Sequence, residues 1–360
     1  MVMGSQYGFG TRECNDQPFE GNDQQANFSM TEITVLLATH NGEKVLPRTL
    51  EGYTLQEDIG FEWKLVIVDN GSTDKTWDII KHFQSRLKIE PLFEQVPGKN
   101  RALNMGLRAI EGEVIVISDD DAIPEPNFLF AWQSVFCAQP SYDIFGGSIE
   151  PLFDVDPPEW MSRGRVKFEE LFAARSLPDG PVDPREIFGG NMAVRHSVFA
   201  QGLKFSESIG PDGTHANYAM GSETEFCIRA SSCGHKIWFA RQPRVSHIVR
   251  SHQLEPSYWC RRAYRTGRGK AQMLWSKRIP VPRLGYSKAA LASGSAYQTF
   301  RQCVRWARTL TPMPEGQLVA LWNYHWNRGF RDEYTERMTA FLSSRKNIGT
   351  TIGRNRSVVN

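Results

Sequence analysis

The chain has 360 residues, 40% of them hydrophobic and 23% charged, with a formal net charge of +2. That composition belongs to a globular protein of one large or two modest domains, and excludes a disordered or collagen-like chain. The near-neutral balance demands no acidic partner, and no run of ~18 apolar residues predicts a membrane-spanning helix.

Residues 1–30 are polar and rich in Gly, Asn and Gln, and read as a flexible tail. Order begins with the apolar, β-branched run Ile33 to Ala38, a buried strand ended by the polar turn Thr39-His40-Asn41. Val45, Leu46, Leu50 and Tyr53 follow at helical spacing. Leu65 to Val68 is a second buried strand, tipped by Asp69 and Asn70. Thr73 or Asp74 then caps a helix carrying Trp77, Ile80 and Phe83. "KIEPLFEQ" reads as a weaker third strand, "NRALNMGLRAI" as a helix and "GEVIVIS" as a fourth strand. Strand and helix alternating at this spacing predict an α/β domain on a mostly parallel sheet.

Beyond residue 145 the pattern loosens. "FGGSIEPLFD" reads as a strand, "VKFEELFAA" as a helix, "IFGGNMAVRHSVF" as a glycine pair before a strand, and "GSETEFCIRASSCG" as a helix start. "HKIWFARQPRVSHIV" holds one or two strands. Residues 253–340 are mainly helical, aromatic and basic, and 341–360 read as a second tail. From Arg261 to Arg308 there are twelve Lys and Arg, with Glu255 the nearest acid before them. Such a segment suits an anionic membrane surface, or is a solvated helix packed through its aromatics. No nucleic-acid-binding module accompanies it. The six cysteines are scattered without CxxC spacing, which points to a reducing, cytoplasmic compartment, in solution or at the membrane's cytoplasmic face.

Ligands of open α/β sheets bind beyond the carboxyl ends of the strands, so the polar tips should converge on one crevice. Asp119, Asp120 and Asp121 follow the fourth strand. Adjacent carboxylates repel and raise one another's pKa, which a divalent cation relieves. Strand alternation puts Asp119 and Asp121 on one side and Asp120 on the other. The alternative is an acidic turn in solvent. Asp69 either accepts from a base or ribose, or makes an Asx turn before Gly71. Lys99 and Arg101 are either phosphate ligands or the wet face of a helix. Of Glu223 and Glu225, the helix dipole explains one, and the other is a candidate general base. His247 is a metal ligand or a semi-buried histidine.

Six segments in order, "VLLATHNG", "LVIVDNGSTDKT", "GKNRALNMG", "VIVISDDDAIPEPNFL", "FGGNMAVRHSVF" and "GSETEFCIRASSCG", resemble the family 2 glycosyltransferases, inverting enzymes of the GT-A fold. The resemblance covers about residues 32–250. It implies a nucleotide-sugar half at 31–145, an acceptor-binding and catalytic half at 146–252, and a helical C-terminal extension. It further implies that Thr39, His40 and Asn41 line the nucleotide, that Asp69 reads a pyrimidine, and that Lys99 and Arg101 lie under ribose and phosphates. Asp119 is then nearer the ribose, with Asp120 beside it, and Asp121 binds Mn²⁺ or Mg²⁺, joined by His247. Gly190, Asn191 and Met192 flank the acceptor and the transferred sugar. Glu223 matches the catalytic base, with Glu225 able to share the role. Here the chain departs from the family: Ser222 stands where an acid usually precedes the base. The implied partners are a nucleotide sugar, UDP-sugar favoured, and a glycan or lipid-linked acceptor. A nucleotidyltransferase would show a Gly-rich loop after the first strand, whereas "ATHNGEKV" offers one glycine. A non-catalytic nucleotide-sugar or glycan-binding protein is the alternative of a different class.

Overall fold

The computed structural model describes residues 32–57, 60–110, 112–158, 171–213, 215–276 and 315–354, with side chains of the last helix described over 319–340. Strand β1 (Ile33–Thr39) lies between β2 (Trp63–Asp69) and β4 (Val114–Asp119), parallel to both, and β3 (Ile89–Phe93) extends the parallel block beyond β2. Its side chains alternate between two hydrophobic layers. Val35 and Leu37 join Ile67, Val116, Leu50, Tyr53 and Trp132 on one face. Leu36 joins Val66, Ile117, Ala102, Leu103 and Phe226 on the other. A strand buried on both faces needs a continuous apolar run rather than an alternating one, and β1, β2 and β4 have it. Helices α1 (Leu46–Thr54), α2 (Thr76–Phe83) and α3 (Lys99–Leu107) make the crossovers. Asp74 ends the loop before α2 by accepting the Thr76 N–H at 3.0 Å.

The register aligns the strand tips. Thr39 stands opposite Asp69, and Ala38 opposite Asp119. The chain then leaves β4 and makes a three-residue strand, β5 (Ala122–Pro124), which sequence reading passed over as part of an acidic turn. Helix α4 (Phe128–Ala138) and strand β6 (Ile144–Phe153) follow, then the short β7 (Gly180–Pro181), β8 (Asn191–Arg195), α5 (His196–Ala200) and α6 (Ser222–Ser232). A single long strand, β9 (Ile237–Val249), closes this half. The sheet order is β3-β2-β1-β4-β8-β6-β9-β5, with β7 also on β9. Pairing is antiparallel between β4 and β8, β8 and β6, and β5 and β9, but parallel between β6 and β9. The fold is therefore α/β on a mixed sheet whose parallel block carries the first four strand tips.

Helices α7 (Pro256–Ser276) and α8 (Glu315–Arg354) form the C-terminal extension. Leu171, Phe172, Val249, Leu254 and Trp259 bury a third apolar cluster against Trp322. The Tyr264 hydroxyl donates to Asp332 at 3.0 Å, and Arg268 pairs with Glu333 and Glu336. Helix α8 continues through 341–354 of the segment read as a tail. Residues 1–30 and 355–360, most of the predicted helix at 166–174, and basic residues 277–308 lie outside the described residues. Among the described residues no helix is long and apolar enough to cross a membrane.

Candidate active site

The crevice lies at the ends of β1, β2 and β4. At the tip of β1 the Thr39 hydroxyl donates to Asp120 Oδ2 at 2.5 Å. His40 Nδ1 lies 2.9 Å from the Asn70 carbonyl, and Asn41, at φ 54°, receives the Thr73 N–H on its Oδ1. The Asn70 amide donates to the Glu94 and Val96 carbonyls and accepts from the Gly98 N–H. These contacts knit three strand-end loops into one floor. Asp69 is buried beneath them. Its Oδ1 accepts the Ser72 N–H at 2.9 Å, so the turn reading holds for one oxygen. Its Oδ2 is buried and has no partner. A buried acceptor left unpaired carries a desolvation cost, and a ligand N–H or O–H would relieve it.

Each member of the triple aspartate takes a different partner. Asp119 Oδ1 lies 2.7 Å from Lys99 Nζ. Asp120 is turned to Thr39, and the Thr49 hydroxyl holds its carbonyl at 2.8 Å, so its carboxylate braces β1 rather than meeting a donor. Burial, with Asp121 adding to it, pushes the Asp120 carboxyl up to about 7. Asp121 Oδ1 lies 3.4 Å from His247 Nε2, and its Oδ2 3.2 Å from Arg250. Burial opposes the Asp121 charge, but His247 and Arg250 outweigh it and hold the carboxyl below its ordinary range. The cause of this meeting is β5: its pairing sets Ala122 opposite His247, and the Ile248 N–H donates to the Asp121 carbonyl at 2.8 Å. Arg250 gave no signal in the sequence, because only that pairing brings it to the aspartates.

Lys99, the first residue of α3, joins the two halves of the site. Its Nζ reaches both Asp119 and Glu223 Oε1, the latter at 3.1 Å. Burial disfavours its charge, yet the two carboxylates raise its pKa well above the ordinary lysine value. Glu223 sits in the first turn of α6, with the Ser222 hydroxyl donating to its Oε2 at 2.9 Å. Burial alone would raise Glu223, but Lys99 reverses this and lowers it. Ser222, where the resemblance led one to expect an acid, thus contributes a hydrogen bond in place of a second charge.

The glycine pair has a steric cause. A Cβ on Gly189 would collide with the Glu223 carboxylate, and one on Gly190 would stand 3.3 Å from Asp119 Oδ2. Sequence reading named Gly190 but missed Gly189, although the doublet before β8 was the visible signal. The other named residues are placed as follows. Met192 is fully buried in the apolar layer with Ile117 and Phe226, so it cannot touch a sugar. Asn191 is also fully buried, donating to the Ser148 and Pro243 carbonyls, which makes it a clasp between β6, β8 and β9. Glu225 makes a two-point pair with Arg229 one turn on, apart from Lys99. Arg101 pairs with Glu207 at 2.7 Å and not with the crevice carboxylates.

For a metal, the donor set is Asp121 Oδ1 and His247 Nε2. Among the described residues no group of three His, Cys, Asp or Glu side chains gathers around one point. One carboxylate and one imidazole suit a Mn²⁺- or Mg²⁺-type ion whose remaining ligands come from substrate phosphates.

Glycosyl transferase family 2 matches residues 34–202. The glycosyltransferase AglE of Haloferax volcanii is 22% identical over 258 residues, 70% of this chain and 77% of that protein. A glucosyl-dolichyl phosphate glucuronosyltransferase of the same organism is 22% identical over 255 residues, 67% of this chain and 77% of its own length. Among solved structures, the mannosyltransferase PcManGT of Pyrobaculum calidifontis, in complex with GDP-Man and Mn²⁺, superposes with a TM-score of 0.50. The alignment covers 89% of this chain and 88% of that one at 18% identity, a likeness of fold. The matched segment runs from the first strand through the triple aspartate and the glycine doublet: residues 34–202 form a glycosyl transferase family 2 domain, and the fold is of the GT-A type.

Proposed function

We propose that the chain transfers a sugar from a UDP-sugar to a hydroxyl of a glycan or lipid-linked acceptor, inverting the anomeric centre. The observation that carries this reading is the Asp119–Lys99–Glu223 chain, which sets a candidate base beside the strand-tip crevice. In the mechanism, Asp69 Oδ2 accepts the N3–H of uracil, the group a buried, unpaired carboxylate oxygen suits. Lys99 fixes Asp119, which faces the ribose, and holds Glu223 ionised. Glu223 removes the acceptor proton as that oxygen attacks the anomeric carbon. The bond to the diphosphate breaks as the new glycosidic bond forms, and this single displacement inverts the centre. Asp121 and His247 would hold Mn²⁺ or Mg²⁺, which when bound neutralises charge on the departing diphosphate. The Pyrobaculum mannosyltransferase was solved with Mn²⁺ and a nucleotide sugar, and the Haloferax relative is named for a dolichyl-phosphate-linked substrate. Both are in keeping with the proposed chemistry.

The test is a panel of UDP-, dTDP- and GDP-sugars with Mn²⁺ or Mg²⁺, scored for nucleoside diphosphate release. The expected result is ion-dependent release from a UDP-sugar, abolished by EDTA and in Asp121→Ala and Glu223→Gln. Binding of UDP without turnover of any donor would overturn the reading.

A further inference from the structure

A cavity of about 650 Å³ opens between the 207–219 loop and the paired helices α7 and α8. Its volume lies within the ~300–1,000 Å³ of small-ligand pockets. The loop forming one wall is built onto the catalytic elements. The Lys99 N–H donates to the Pro211 carbonyl at 2.9 Å, and the Asn100 amide to those of Ser206 and Ile209. Gly210, in the lining, packs against Ser222, the residue whose hydroxyl holds Glu223. The opposite wall ties back to the loop, because the Gln272 amide donates to the Ser208 carbonyl at 2.8 Å.

The charge of the lining is informative. Its cations are all engaged by carboxylates. Arg268 lies between Glu333 and Glu336, Arg337 is on Glu333, and His215 is on Asp212. Of those carboxylates Glu336 is the most exposed, with 60% of its side chain open. Tyr218 adds an aromatic ring and Asn217 an amide. Such walls accept hydroxyl hydrogens and pack a C–H face, while a phosphate or uronate there would meet carboxylates first.

We propose that this cavity is the acceptor subsite and that it takes an uncharged saccharide. Any phosphate on the acceptor stays outside it. The inference rests on the glycosyl-transfer reading above, and assigns to α7 and α8 a part in choosing the acceptor.

The test is saturation-transfer NMR on the full chain with cellobiose and N,N′-diacetylchitobiose as neutral probes. Glucuronic acid and glucose 1-phosphate serve as anionic probes. At least one neutral probe should bind, with both anionic probes at least tenfold weaker. Tyr218→Ala should weaken the neutral probe at least tenfold, and Glu336→Lys should raise relative binding of the anionic probes, with each variant's thermal melt showing it folded. No neutral binding, equal anionic binding, or neutral binding unmoved in folded Tyr218→Ala overturns the proposal. Absence of donor turnover by the unaltered chain would instead sink the transfer reading, and it is measured separately.

Discussion

Gly189 stands against the carboxylate of Glu223 with no room between them for a methyl group. The backbone of that loop therefore sets where the candidate base is held. Gly189→Ala should push the carboxylate aside and break its contact with Lys99. A misplacement of ~1 Å costs on the order of 100-fold in rate. Nucleoside diphosphate release should fall by about that factor, with a thermal melt showing the variant folded, since loss of the buried Lys99 pair also lowers stability. A turnover number within about threefold of the unaltered protein's would mean that Glu223 is not the base.

The Lys99–Glu223 pair gives the rate a defined pH dependence. Burial favours the neutral acid, but Lys99 holds Glu223 below the ordinary range. A base must be ionised, so the acid limb of kcat/KM should lie below about pH 4.3, the ordinary glutamate value. In Lys99→Met the desolvation penalty is opposed only by the Ser222 hydroxyl and a backbone N–H, and the limb should move up. Activity at about pH 5 relative to about pH 8 should then fall. An unmoved limb would show that Lys99 does not set the ionisation of the base.

The parallel half of the fold was legible because β1, β2 and β4 are continuous apolar runs with polar tips, and those tips line up in the register. Asp69 and Asp119 stand at two of those tips, and Glu223 in the first turn of α6, the positions that the sequence pattern gave them. What escaped depended on pairing across long separations. The contact of Asp121 with His247 and Arg250 exists only because three residues after the aspartates pair with β9. No local pattern in "AIP" announces a strand. Met192 failed differently. The residue after a functional loop looks like loop in sequence, yet the alternation of β8 turns it into the core.

That correction can be tested. Met192 packs with Ile117, Val194 and Phe226 and touches no solvent. Met192→Ala should destabilise the protein by ~2–5 kcal/mol through lost burial and the cavity left behind. Met192→Leu conserves volume and should cost less than ~1.5 kcal/mol. Donor turnover in Met192→Leu should match that of the unaltered protein. A large rise in KM for that variant in denaturant-resistant, folded protein would restore Met192 to the sugar site.

Asp69 offers the sharpest test of the base that the crevice reads. One carboxylate oxygen holds the Ser72 N–H and the other is buried without a partner. Asp69→Asn can keep its amide oxygen on Ser72, so the turn survives, but it then presents an N–H₂ where the acceptor was. Uracil N3 is a donor, so two donors face each other; cytosine N3 is an acceptor and is satisfied by the amide. Losing a hydrogen bond to a charged group costs ~1.5–3 kcal/mol, a factor of roughly 10–150 in UDP affinity. Titration calorimetry should show UDP weakened by about that much, with the preference for UDP over CDP narrowed or reversed. An unchanged UDP-to-CDP ratio would place the base elsewhere and leave the unpaired oxygen to the ribose.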